Sequence, residues 1–210
     1  MVIDINTETA FQNAEKLKTR TSSIQILRDA LTHLKPDRKN ILRILSFTLL
    51  EAFISLIIAT QPNTIPLLKE VMTLIVSIIV ALLAIVFTGY TFFQTLINDN
   101  LLITLLSVDI NKNANLVNTN KYFAEVMILQ IFCLLLNLLL ALFSIILPSD
   151  WCLTANNIIN ESLAFLGIWI ILFINMESIW EMKSFIFNLY QLYNLHAYSR
   201  MLEIKNKKES

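Results

Sequence analysis

Four long apolar runs dominate the chain: "ILRILSFTLLEAFISLIIAT" (41–60), "VMTLIVSIIVALLAIVFTGYTFF" (71–93), "EVMILQIFCLLLNLLLALFSIIL" (125–147) and "ESLAFLGIWIILFINMESIWEM" (161–182). A helix rises about 1.5 Å per residue, so about 20 residues cross the roughly 30 Å hydrocarbon core of a bilayer. Each run reaches that length. The strands of a membrane barrel would alternate apolar and polar side chains over about ten residues, whereas these runs are continuous. The sequence therefore reads as an all-α polytopic membrane protein, a four-transmembrane-helix bundle with spans at about 41–60, 71–95, 123–147 and 161–183. Of 210 residues 56% are hydrophobic and 15% charged, a balance that excludes an ordinary soluble domain.

Lys and Arg distribute unevenly between the connections, and that asymmetry sets orientation. Eight precede or begin the first span: Lys16, Lys18, Arg20, Arg28, Lys35, Arg38, Lys39 and Arg43. The connections "QPNTIP" and "PSDWCLTANNIINES" hold none, while Lys112 and Lys121 lie in or beside the central loop and five more follow the fourth span. Both termini and the central loop are expected in the cytoplasm. The segment "MVIDINTETA" lacks the basic start of a cleavable signal, so the first span is expected to act as the anchor. The Asn/Ile/Lys-rich usage points to a bacterial inner membrane. Cys133 and Cys152 are expected at different depths and not to pair, and Asn160-Glu161-Ser162 has the form of a glycosylation sequon on the outer side, a short pattern that is common by chance and carries little weight in a bacterial composition.

Three segments follow from this layout: a cytoplasmic N-terminal helical segment (1–40), the transmembrane domain (41–184) and a cytoplasmic C-terminal helix and tail (185–210). The first holds two short helices, the second of them opened by a capping box at Ser22 and Gln25 and closed by Pro36. Lys35, Arg38, Lys39 and Arg43 form a basic collar at the depth of lipid phosphates. In the central loop "LLITLLSV" extends the second helix or lies along the membrane surface, ahead of an asparagine-rich turn region. No Gly or Pro interrupts the chain after the fourth span, so that helix is expected to run on into the cytoplasm. There Tyr190, Tyr193, His196 and Tyr198 form a candidate assembly or partner surface.

Inside lipid, small and polar residues mark the faces that pack on other helices. Thr48, Glu51, Ala52, Ser55 and Ala59 make one such stripe; Gln130, Cys133, Asn137, Ala141 and Ser144 make another; Ala164, Gly167, Asn175 and Ser178 a third. Glu51 sits near the midplane, where an acid costs about 2.5–3.5 kcal/mol. Asn137 and Gln130 are its candidate partners. Glu51 is then either a neutral, hydrogen-bonded clasp between helices or a proton or cation site. Glu177 and Glu181 read as a hydrated interfacial face near Lys183.

The chain has no HExxH, GxSxG or Walker sequence and no His or Asp within any span, so no enzyme chemistry is expected, nor any metal, cofactor or direct nucleic-acid contact. Small multidrug transporters also have four helices and an acid in the first, but they are Gly-rich with minimal tails. Tetraspanins and claudins carry paired outer cysteines, where this chain has Cys152 alone. In span count, inside termini, length and residue usage the chain resembles the membrane component of the Kiwa type of bacterial anti-phage defence. That resemblance implies a homo-oligomer, a tetramer or other small ring, that senses infection from the inner membrane and works with a cytosolic, DNA-interacting partner subunit. Ion-channel and proton-coupled transport functions remain the alternatives.

Overall fold

The structure is a computed structural model that describes residues 7–18, 22–32, 34, 41–107 and 115–209. Lys35, Arg38 and Lys39 of the collar, Pro36, and residues 108–114 of the asparagine-rich loop lie outside the described residues. The described residues form seven α-helices and no strand: α1 (Thr7–Lys16), α2 (Ser23–Thr32), α3 (Ile41–Ala59), α4 (Thr64–Leu96), α5 (Asp99–Ser107), α6 (Leu116–Ile146) and α7 (Asn157–Glu209). Four of these, α3, α4, α6 and α7, are long and apolar enough to cross a membrane. No more than 28% of the most apolar stretch of any of them is buried within the chain. That much bare Leu, Ile and Phe is a surface made for lipid or for further chains.

Helix boundaries follow from local chemistry. Ser22 accepts the Gln25 amide at 3.2 Å, the capping half of the box read from the sequence. The turn after α3 is held by Thr64, whose hydroxyl donates to the carbonyls of Ile58 (3.0 Å) and Gln61 (2.7 Å). Leu102 is not a continuation of α4: Asn98 accepts the Leu101 amide at 2.8 Å and starts α5 as a separate helix. Asn115 does the same for α6 through the Val117 amide, also at 2.8 Å. Within α7 no Gly after Gly167 and no Pro at all breaks a helix of 53 residues.

The chain packs as two compact units that interleave along the sequence. One comprises Met1–Ala30, Ala84–Ile128 and Lys183–Ser210; the other comprises Leu31–Leu83 and Leu129–Met182. In the first, α1 packs on α5, and the buried Asn13 amide donates to the Leu106 carbonyl at 2.7 Å. Leu101, Leu105 and Leu106 bury the inner face of α5. The core of this unit is aromatic. Phe123 stacks on Phe93 at 5.2 Å between ring centres, meets the Phe185 ring edge-on at 5.3 Å and lies 5.7 Å from Tyr90. Lys121 reaches Asp29 of α2 at 2.7 Å, but both are too exposed for the pair to contribute much.

The second unit has the inverted polarity of a lipid-embedded bundle. On α3, Leu42, Leu45, Leu49 and Phe53 face outward, and Glu51, Ser55, Ile58 and Ala59 are buried. On α6 the buried stripe is Gln130, Cys133, Asn137 and Ser144, and on α7 it includes Asn175 and Ser178. On α3 and α6 the polar stripes expected from three- and four-residue spacing are the packed faces; on α7 Asn175 and Ser178 are buried, but Ala164 is half-buried and Gly167 exposed, so that stripe packs only over its second half.

Candidate functional site

Three polar arrangements lie inside the second unit. Arg43, one turn into α3, donates from Nη1 to Glu177 Oε1 at 3.0 Å and from Nη2 to Oε2 at 3.2 Å, a forked pair with Glu177 on α7. Its guanidinium lies 4.6 Å from the Trp180 ring centre and 5.7 Å from that of Phe47, and these two rings meet edge-on at 5.4 Å. Glu177 is therefore not the hydrated interfacial residue the sequence suggested, and Arg43 turns into the bundle instead of completing a collar. The reason is pairing: the forked bond and the Trp180 ring give each charge a partner inside the bundle.

Between α6 and α7, Asn137 and Asn175 exchange hydrogen bonds, Asn137 Nδ2 donating to Asn175 Oδ1 at 2.7 Å and Asn175 Nδ2 to Asn137 Oδ1 at 3.1 Å. Gln130 donates to the Ser178 carbonyl at 3.2 Å. The two amides expected to hold Glu51 are thus engaged with α7. Glu51 is buried, yet neither carboxyl oxygen has a hydrogen-bond partner among the described residues. The clasp between Glu51 and Asn137 or Gln130 is absent from this arrangement. Among the described residues no group of three or more His, Cys, Asp or Glu could hold a metal ion.

An unpartnered buried polar group is a liability of about 1–3 kcal/mol, and replacing it with an apolar group of similar shape removes that cost. Glu51→Leu is therefore expected to keep or raise stability against sodium dodecyl sulfate in mixed micelles, with Glu51→Gln giving no gain. A loss of more than about 1 kcal/mol in the Leu variant would show that Glu51 does hold a partner.

The candidate assembly surface lies on the first unit's part of α7. Tyr190, Tyr193 and Tyr198 are all about half exposed, as expected. His196 differs: it is only partly accessible and shares the seam of Phe185, Leu192 and Ser199, which are buried in the chain's own core. The exposed side carries Ile186, Tyr190, Tyr193, Met201 and Ile204. No protein-family model, curated protein or solved structure matches this chain. What it does is read from these sites alone.

In the sequence Arg43 and Glu177 do not stand out as a pair, and Asn175 stands only as a member of a stripe. Matching positions at the same end of the first and fourth spans were the available signal for the pair.

Proposed function

We propose that the chain is a non-enzymatic subunit of a bacterial inner membrane with both termini in the cytoplasm. It is a homo-oligomeric sensor and scaffold that recruits a cytosolic partner in anti-phage defence, in keeping with its Kiwa-like layout. The observation that carries this reading is the outer face of α7. At 53 residues the helix is about 80 Å long, against a hydrocarbon core of about 30 Å. Much of it must therefore stand in water. Along that part Ile186, Tyr190, Tyr193, Ala197, Met201 and Ile204 recur at three- and four-residue steps and are exposed. This is the spacing of a coiled-coil seam that no described residue of the chain covers, and the occupant that fits a self-complementary seam is a second copy.

Hydroxyl groups on α4 support a scaffold over an open pore. Thr73, Ser77 and Thr88 stand at only a few places along its apolar stretch and each donates to a carbonyl of its own helix, at 2.8, 3.0 and 2.8 Å, so the helix offers a sparse polar lining in place of a continuous one. The unpartnered Glu51 carboxyl favours a second reading, a proton or cation site used in transport.

Mass photometry of the protein purified in mild detergent tests the assembly. The expected particle is a tetramer or other small ring, and Tyr190→Glu with Tyr193→Glu weakens it at least about tenfold, since two charges enter an apolar seam. A wild-type chain that is monomeric under these conditions overturns the proposal. An Glu51→Gln variant that assembles fully but loses activity would move the weight to transport.

A further inference from the structure

We infer that a cleft in the second unit binds an amphipathic amine, a molecule with an apolar body and an ammonium head. The cleft is about 620 Å³, within the range of small-molecule sites, and is built from the end of α3 and the turn after it, the starts of α4 and α7, and the 147–156 connection. Its less accessible wall is aliphatic, with Leu68, Ala164, Ile168 and Ile171. Its exposed wall carries the polar groups, Gln61, Asp150, Asn157 and Glu161, interspersed with Trp151 and Leu153. Among the lining residues there are two carboxylates and no Lys, Arg or His. A cationic head meets complementary charge there, and a phosphate or sulfate head meets repulsion.

Two further observations separate this cleft from a gap left by poor packing. One is Gly167, which lines it and lies inside α7 without a positive φ. The backbone does not need glycine there, and a helix-interior glycine is about 1 kcal/mol less favourable than alanine. Close packing does not need it either, since an added Cβ would meet no heavy atom within 4 Å. Glycine leaves this stretch of the cleft wall without a side chain. The other is the way the opposing wall is fixed. Asn160 accepts the Thr154 amide at 2.9 Å and its hydroxyl at 3.0 Å and donates to the Thr154 carbonyl at 2.7 Å. Asn156 accepts the Ile158 amide at 3.0 Å. These bonds tie the connection carrying Asp150, Trp151 and Cys152 to the start of α7, so the polar wall is built in place. They also occupy the Asn160 amide that the sequon would need.

This inference is independent of the oligomeric scaffold reading, because the cleft lies within one unit of one chain. Cys152 lines the cleft and is exposed, and Cys133 is buried, so alkylation reports on the cleft alone. The full-length protein in dodecyl maltoside is treated with a bulky maleimide in the presence of decyltrimethylammonium, decanesulfonate or decyl maltoside. Decyltrimethylammonium is expected to slow Cys152 alkylation at least fivefold, with little effect from the other two. Gly167→Leu, which puts a branched side chain into the cleft, should weaken the protection at least twofold; Gly167→Ala, a smaller intrusion into open space, should weaken it less and serves if the Leu variant does not fold. Asp150→Asn with Glu161→Gln should erase the preference for the amine over decyl maltoside. Equal protection by decanesulfonate, no protection by any of the three, or unchanged protection in both Gly167 variants would overturn the proposal.

Discussion

Arg43→Leu is expected to destabilise the folded protein by about 3–5 kcal/mol, the cost of leaving a buried carboxylate without its partner. Glu177 is 5% exposed and Arg43 15%, so water does not replace what the substitution removes. The same reasoning makes the pair itself a weak source of net stability, since desolvating two ions offsets most of their attraction. Arg43→Leu combined with Glu177→Leu should therefore recover most of the loss. Arg43→Lys keeps the charge but cannot fork across both carboxylate oxygens or lie flat on Trp180, and an intermediate loss of about 1–2 kcal/mol is expected. Unfolding of the purified variants by a rising fraction of sodium dodecyl sulfate in mixed micelles gives the four values. A double variant as unstable as Arg43→Leu would show that Arg43 acts through its aromatic contacts and not through Glu177.

Phe123→Ala should cost nearly as much, about 3 kcal/mol, at the low end for a buried aromatic. Its ring is fully buried at the centre of Phe93, Phe185 and Tyr90. Part of the usual penalty is transfer to water, which lipid around the bundle reduces, but the cavity term stays because the surrounding rings cannot collapse into the space. The same cluster gives Gly89 its purpose. A Cβ there would lie 2.7 Å from Phe185 Cζ and 3.3 Å from Leu189 Cδ2, and Phe185 is held against Phe123 and cannot swing away. Gly89→Leu should fail to pack, whereas Gly89→Ala should lose roughly 1–3 kcal/mol through overpacking. Phe185→Leu in the Gly89→Ala background should return part of that loss, since the two changes share one contact. Additive losses in the double variant would remove the close approach as the reason for glycine.

Comparison of the two glycines shows how far sequence reading goes. Both occur in apolar helices and look alike on the page, yet Gly89 admits a neighbouring ring and Gly167 faces open space. Only packing distinguishes them. By itself the sequence determined the four spans, because a continuous apolar run of about 20 residues has one favourable environment. It also determined the unbroken C-terminal helix, because nothing after Gly167 interrupts the backbone hydrogen bonds, and the buried polar stripes on α3 and α6 with Asn175 and Ser178 of α7, because polar groups in lipid favour faces that pack on other helices. The tertiary structure decided which polar groups meet. Asn137 found Asn175 instead of Glu51, Arg43 reached Glu177 134 residues away, and His196 turned to the inside of α7 while Tyr190 and Tyr193 stayed outside. Spacing along one helix tells which residues share a face. The rotation of that face toward a particular neighbour is set by the fit of all the side chains between the helices, and no single run of sequence contains it.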